Sequence, residues 1–236
     1  MLSRERRRIF ARRVLAWYAA NGRDLPWRKT RDPYAILISE ILSHQTQIAR
    51  VVPVYERLLE RYPTVESMAK AGASAIKTIT DPLGYKVRGR WLHAAALAVA
   101  EDGGQFPHTV EGLRRLPGIG RYTAGAVMNF AHQLDTPMVD TNIARVLTRH
   151  FAGIGPSSAR AAVWQAASEV IPKGRGDLIN QALMDLGAMI CRSRSPRCDL
   201  CPLTRSCAYR AAAIKAASAR PGRRRPPRRG TRARSG

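Results

Sequence analysis

The stretch Leu116–Asp140, LPGIGRYTAGAVMNFAHQLDTPMVD, decides how the rest of the chain is read. Leu116-Pro117-Gly118-Ile119-Gly120 is a tight turn, and its two glycines, Gly118 and Gly120, let the backbone approach another group closely. Arg121 to Phe130 reads as a helix whose first-turn amide N–H groups have no partner inside the helix. A glycine turn feeding a helix N-terminus is a phosphate cradle, because free amides and the positive dipole end face the same anion. Upstream, Thr109 to Arg115 carries helical spacing through Val110, Leu113 and Leu116, so the unit reads as helix, hairpin, helix. Asp140 follows twenty residues after Gly120 and opens a further helical pattern, Ile143, Val146 and Leu147, as an N-cap would. Taken alone, the turn fits an ordinary helix–helix connection equally well.

The composition points the same way as the cradle. The chain has 236 residues, enough for one sizeable core or two small helical lobes sharing a cleft. It carries 40 Lys and Arg against 17 Asp and Glu, a formal charge of +23. Like charges oppose compaction, so this excess serves a partner and not the fold; a polyanion whose counterions are released on binding suits it. No apolar run approaches the ~20 residues needed to span a bilayer. Met1 to Arg13 is charged throughout, which is unlike a secretory leader. Nucleic acid is the expected partner, and a cytoplasmic, nucleoid-associated setting follows from it.

Along the chain the periodicity is helical. Arg4 to Ala19 alternates basic and apolar residues, and Leu25-Pro26-Trp27-Arg28 is an extended connector. Tyr34 to Ala49 and Val51 to Tyr62 read as two helices broken near Pro53. Thr64 to Ala71, Ser74 to Thr80 and Val87 to Glu101 follow, the last stopped by Asp102-Gly103-Gly104. Beyond the hairpin come Thr141 to Phe151, Ala159 to Ile171 and Leu178 to Cys191. Strand signals are scarce, so the fold class is all-α. The ordered domain is expected over residues 1–219. From Arg220 the chain has eight Arg, three Pro and no acid or large apolar residue, so 220–236 is expected to be a disordered Arg-rich tail.

The only cysteines are Cys191, Cys198, Cys201 and Cys207, spaced C-x6-C-x2-C-x5-C. Four thiolates this close in sequence suit either tetrahedral zinc or a [4Fe–4S] cluster. Zinc ribbons pair two C-x2-C knuckles across a longer gap; one knuckle with unequal arms favours the cluster.

Taken together, the hairpin, the Asp twenty residues later and the cysteine spacing resemble the endonuclease III / MutY superfamily of helix-hairpin-helix DNA glycosylases, from about Arg4 to Tyr209. The resemblance implies two helical lobes with DNA in the cleft between them, and a target nucleotide flipped into that cleft. It implies that Leu116, Gly118, Gly120 and Arg121 grip a phosphate, and that a [4Fe–4S] cluster on the four cysteines is structural and not the catalyst of base removal. A monomer acting on double-stranded DNA with a mismatched or damaged base is expected. Where the strand-cleaving branch has a Schiff-base lysine, this chain has Tyr122, whose phenol forms no imine, so a monofunctional enzyme is expected. Asp140, in Val-Asp-Thr-Asn, matches the carboxylate placed beside the sugar, where positive charge develops as the glycosidic bond breaks. Glu40, after Arg23-Asp-Leu-Pro-Trp-Arg-Lys-Thr-Arg-Asp-Pro-Tyr, looks like the MutY acid that protonates adenine N7.

Gln45, Gln47 and the Leu83-Gly84-Tyr85 loop with Arg88 are similar to MutY and place adenine opposite guanine or 8-oxoguanine first. The chain departs from MutY at His44, where a glutamine is usual, and in carrying the Arg-rich tail where MutY has a second domain. The archaeal thymine/uracil mismatch glycosylases are similar at RDLPWRKTRDPYAILISEIL and have a tyrosine at the Tyr122 position. Two non-glycosylase readings stand beside these: a DNA-binding module with a degenerate site, and an RNA-binding zinc protein.

Overall fold

A computed structural model of the chain describes residues 3–151 and 159–218, and the Arg-rich stretch 220–236 lies outside them. The described residues are helical, with no strand among them. α1 (Arg4–Asn21) starts at Ser3, whose hydroxyl accepts from the Arg6 amide, and buries Phe10, Ala11 and Val14. A single 3-10 turn, Pro26–Arg28, leads to α2 (Pro33–Ser43). Asp32 caps α2 by accepting from the Tyr34 and Ala35 amides, with Pro33 at the first helical position, where its missing N–H costs nothing. Every residue from Tyr34 to Leu42 is buried, so α2 is the central helix. Glu40 is the only charged residue in that span.

The expected break near Pro53 is not there. α3 (Ile48–Arg61) runs through Pro53, and the chain breaks earlier, at residues 44–47. Two non-local causes outweigh the local proline penalty. α3 docks an apolar face of Val51, Tyr55 and Leu58 on the core. The turn before it is fixed by Arg88, whose buried guanidinium donates to Ile41 O at 3.2 Å, to His44 O and to Thr46 Oγ1.

α4 (Val65–Ala71) begins with a reciprocal Thr64–Ser67 capping box, and α5 (Ala73–Thr80) and α6 (Arg88–Glu101) follow. α7 (Val110–Arg115), capped by the Thr109 hydroxyl, and α8 (Arg121–Phe130) form the hairpin pair. Then come α9 (Thr141–His150), α10 (Ala159–Val170) and α11 (Gly176–Asp185). The expected helix from Leu178 to Cys191 starts two residues earlier and ends as a π turn, Leu186–Ile190. A Cβ on Gly187 would lie 2.5 Å from Asn142 Cβ, so the π turn presses its backbone directly against α9. α12 (Ala208–Ser218) follows the cysteines.

The helices sort into two lobes around one contiguous core. α2 to α8 pack among themselves, while α1 returns to pack with α10 and α11, which with α12 surround α9. Contacts between α8 and α11 join the lobes. No helix among the described residues is long and apolar enough to cross a membrane.

Candidate active site in the interlobe cleft

A cleft of about 1260 Å³ runs between the lobes, and Glu40, Gln45, Gln47, Tyr85, Tyr122 and Asp140 all line it. Each is delivered by a different local device. Glu40 comes from the apolar central helix α2, only 5% exposed. Tyr122 is the second residue of α8, and Asp140 is the N-cap of α9. Gln45 and Tyr85 sit on turns with φ of 53° and 35°, left-handed values that side-chain-bearing residues seldom adopt. Both are exposed, with Tyr85 edge-on to Trp91 at 5.6 Å, so the cleft mouth is edged by two strained polar or aromatic side chains.

Burial raises both carboxylates, but their donors differ. Burial pushes Glu40 up to about 7; the Tyr122 phenol, donating to it, and Arg28 pull down, while the Asp140 charge adds to the rise. Burial raises Asp140 too, but its donors favour the anion: the Ile143 amide at 2.6 Å and Asn142 Nδ2 at 2.8 Å, with Arg145 nearby. Tyr122 is held well above the ordinary phenol value by burial and by both carboxylates, so it stays a neutral donor. Its hydroxyl also lies 3.9 Å from Met184 Sδ. Both are raised by burial, but Asp140 has two donors that stabilise its anion, and that difference in donors lets the pair divide acid and anion roles.

Behind Glu40 a second, smaller recess is bounded by Trp27, Arg28, Ser43, Gln181 and Met184. Its arginine is fixed by a buried ion-pair network. Asp185, fully buried, accepts from Arg28 at 2.8 and 2.9 Å and from Arg23 Nε at 2.7 Å. These bonds hold Asp185 below the usual carboxylate range despite its burial. Gln181 accepts from the Tyr18 hydroxyl at 2.6 Å. α1, the connector and α11 are thereby locked together under the cleft.

The hairpin lies at the rim. Gly118 has φ 78°, and a Cβ there would meet Trp91 Cγ at 2.5 Å, so both conformation and space demand glycine. Gly120, the N-cap of α8, is exposed, has nothing within 4 Å of an added Cβ, and provides no side-chain cap. The first turn of α8 is thus open to an external anion. Two residues read from the sequence as DNA contacts are placed otherwise. The Leu116 side chain is in the core, 9% exposed, so only its backbone belongs to the hairpin surface. Arg88 is 1% exposed and its donors are engaged by the 44–47 turn and Gly84 O, so it positions Gln45 instead of reaching a phosphate.

All four cysteines line one small cavity beside the C-terminal end of α9, with Arg149 and Tyr209. Burial pushes Cys201 up to about 11, and each of the other three thiols adds to it. Among the described residues no three His, Cys, Asp or Glu side chains converge on one metal-ion position. Four thiols around one space are a donor set that fits either a tetrahedral metal ion or an iron–sulfur cluster. The loop is tied to Asp140 through α9. Arg145 donates to Cys191 O at 2.6 Å, to Gly187 O at 2.7 Å and to Asn142 Oδ1 at 2.7 Å, and Asn142 in turn donates to Asp140. Arg145, Met184 and Gln181 carry no motif in one sequence, and Asn142, the last residue of Val-Asp-Thr-Asn, is given no role there.

Residues 38–173, which include Glu40, the hairpin and Asp140, match the HhH-GPD superfamily of base excision DNA repair proteins. The chain belongs to that superfamily. Among HhH-GPD relatives, the adenine DNA glycosylase of Mycolicibacterium smegmatis is 41% identical over 205 residues, 85% of this chain and 69% of that protein. The rat adenine DNA glycosylase is 39% identical over 211 residues, covering 84% of this chain but 41% of its own length. The thymine/uracil-DNA glycosylase of Methanothermobacter thermautotrophicus is 35% identical over 209 residues, 87% of this chain and 95% of that protein. This chain therefore spans well under half of its rat relative and nearly all of the archaeal one. A thermostable thymine-DNA glycosylase structure superposes with a TM-score of 0.83 at 34% identity, covering 88% and 98% of the two chains. A trapped endonuclease III–DNA covalent intermediate gives 0.78 at 25% identity, covering 91% and 100%. The superfamily resemblance read from the cysteines and hairpin thus holds.

Proposed function

We propose that the chain is a monofunctional DNA glycosylase that flips a mispaired base into the interlobe cleft and hydrolyses its N-glycosidic bond, with adenine opposite guanine or 8-oxoguanine as the preferred target. The observation that carries adenine is Glu40. A carboxyl poised at about 7, at the boundary between the cleft and the inner recess, is half protonated at neutral pH and can donate to a leaving base. Adenine leaves poorly as an anion and needs that proton, whereas thymine and uracil leave as stabilised anions without it.

In this reaction Glu40 gives its proton to adenine N7 as the bond from C1′ to N9 breaks, and the electron pair departs with neutral adenine. Asp140, kept anionic by its donors, offsets the positive charge on the sugar. Water adds to C1′ and loses its proton to a carboxylate, leaving an abasic site. Tyr122, between the two carboxyls, holds Glu40 and supplies no amine, so abasic products stay intact until treated with alkali. Gln45, Gln47 and Tyr85 enter the duplex beside the target, and the amides around Gly118 and Gly120 take a backbone phosphate, with Arg121 alongside. Cys191, Cys198, Cys201 and Cys207 hold a [4Fe–4S] cluster, which braces the loop against α9 and takes no step in base removal.

The second reading is thymine or uracil opposite guanine, favoured by the full-length match to the archaeal relative. A panel of A·G, A·8-oxoG, T·G and U·G duplexes, scored for alkali-labile sites under single turnover, separates the two. Adenine release lost in Glu40→Gln supports the first reading. Robust T·G cleavage that survives Glu40→Gln would replace it with the second.

A further inference from the structure

We infer that Arg121 and Trp164 together form a phosphate-binding fork at the rim of the cleft, with Trp164 as the residue that positions the guanidinium. Arg121 is the first residue of α8, directly after Gly120, and its side chain is exposed. Its Cζ lies 3.9 Å from the centroid of the Trp164 indole, close enough for the two flat groups to lie against each other. Trp164 comes from α10, in the other lobe, and is part of the cleft wall.

Stacking uses the face of a guanidinium and leaves its N–H edge free. At three of the four other arginines that lie over a ring, that edge is engaged; Arg6, over Phe151, is the exception. Arg28 lies over Tyr18 but donates to Asp185, and Arg149 lies over Tyr209 but donates to Arg192 O and Ser193 O. Arg88, beside Tyr85, is buried and donates to backbone oxygens. Arg121 is exposed and makes no hydrogen bond or ion pair within the described residues, so its N–H edge is unengaged there beside the cleft-lining Trp164. A planar pair of donors fits the two non-bridging oxygens of a phosphodiester. The indole removes the side chain's freedom before the phosphate arrives, which lowers the ordering cost of binding. Because the stack joins α8 to α10, a strand phosphate held there bridges both lobes.

This inference rests on the proposal that DNA lies in the cleft but is independent of which base is removed. The full chain is tested with an undamaged duplex by fluorescence anisotropy, over salt from about 50 to about 200 mM. Arg121→Gln should weaken binding and flatten the log–log salt dependence by about 0.9, the value of one phosphate. Trp164→Leu should flatten it similarly with an unchanged melting temperature, Trp164→Phe should restore it, and the double variant should lose no more than either single one. A tryptophan that merely stacked on a base would lower affinity and leave the slope alone. The inference is overturned if Trp164→Leu keeps the wild-type slope, if the two losses add, or if Arg121→Lys binds as well as wild type. That last variant keeps the charge without the fork, and it decides the matter if Trp164→Leu fails to fold. Base release on the mismatch panel is read separately: intact slope effects without base release would leave the fork standing and remove the glycosylase reading.

Discussion

Replacing Tyr122 with Phe isolates the one hydrogen bond that holds Glu40 down against its burial. The phenol donates to the Glu40 carboxylate, so it stabilises the charged form, while desolvation and the Asp140 charge stabilise the neutral form. Removing the hydroxyl leaves both raising influences in place. A hydrogen bond to a charged group contributes roughly 1.5–3 kcal/mol, and one pH unit corresponds to about 1.4 kcal/mol, so Glu40 should rise by about one to two pH units above its present value. Base release needs the protonated acid, so its rate falls as pH climbs through the Glu40 pKa, which in the wild type is about 7. In Tyr122→Phe the alkaline limb of the single-turnover rate on an A·8-oxoG duplex should therefore move upward by the same one to two units. The Phe ring still packs beside Met184, so binding of the duplex should be little changed. In Glu40→Gln the limb should vanish with the activity. A limb that stays in place in Tyr122→Phe, or moves to lower pH, would refute the assignment of Glu40 as the titrating acid held by Tyr122.

Cys201→Ser should lose iron, measured by colorimetric assay and by absorbance near ~400 nm, and should weaken duplex binding; stoichiometric zinc with no iron in anaerobically purified wild type would contradict the cluster. Asp185→Asn leaves Arg23 and Arg28 without their buried counter-ion and should destabilise the fold by about 3–5 kcal/mol in denaturant unfolding, as breaking one side of a buried pair does. His150 is packed between Phe10 and Phe151, and burial, with Arg6 and Arg13 nearby, lowers it to about 4. Its unfolded value is about 6.5, so its contribution is complete above that pH and is lost as pH falls toward 4. Glu40, raised in the fold, works in the opposite direction over the same range. The clean comparison is therefore His150→Phe against wild type, in which the acid-dependent loss of unfolding free energy should shrink by about 3 kcal/mol.

How much of this was legible in the sequence depended on whether the cause was local. α8 was read to the residue, Arg121 to Phe130, because the glycine turn before it and the polar stretch after it are local signals. The N-cap reading of Asp140 is local in the same sense. The break between α2 and α3 was misplaced because its cause, Arg88, lies more than forty residues away. The same arginine is read as a DNA contact from its similarity to MutY beside the Leu83-Gly84-Tyr85 loop; burial is a property of packing that one sequence does not display. Trp164 and Gln181 were passed over for the converse reason. Neither stands in a motif, and each acquires meaning only from what lies across the lobe boundary, Arg121 in one case and the recess behind Glu40 in the other. α12, an alanine-rich helix with exposed Tyr209 and Ile214, offered little periodicity to read.

Asp140 shows why the modest structural reading and the functional one need not compete. As an N-cap it accepts from the Ile143 amide, and its other oxygen takes the Asn142 side chain, so the bonds that begin α9 are the bonds that keep the carboxylate charged. Its position is then inherited from the helix, and the helix is anchored at its far side by Arg145 to the cysteine loop and the π turn. Glu40 is the reverse case. Its neighbours from Tyr34 to Leu42 are all buried, and the helix carries it to the cleft floor, where burial favours its neutral form. The cap's donors offset part of the burial of one carboxylate, and the apolar helix leaves the other raised to about 7. The difference between them is produced by secondary structure, before any substrate arrives.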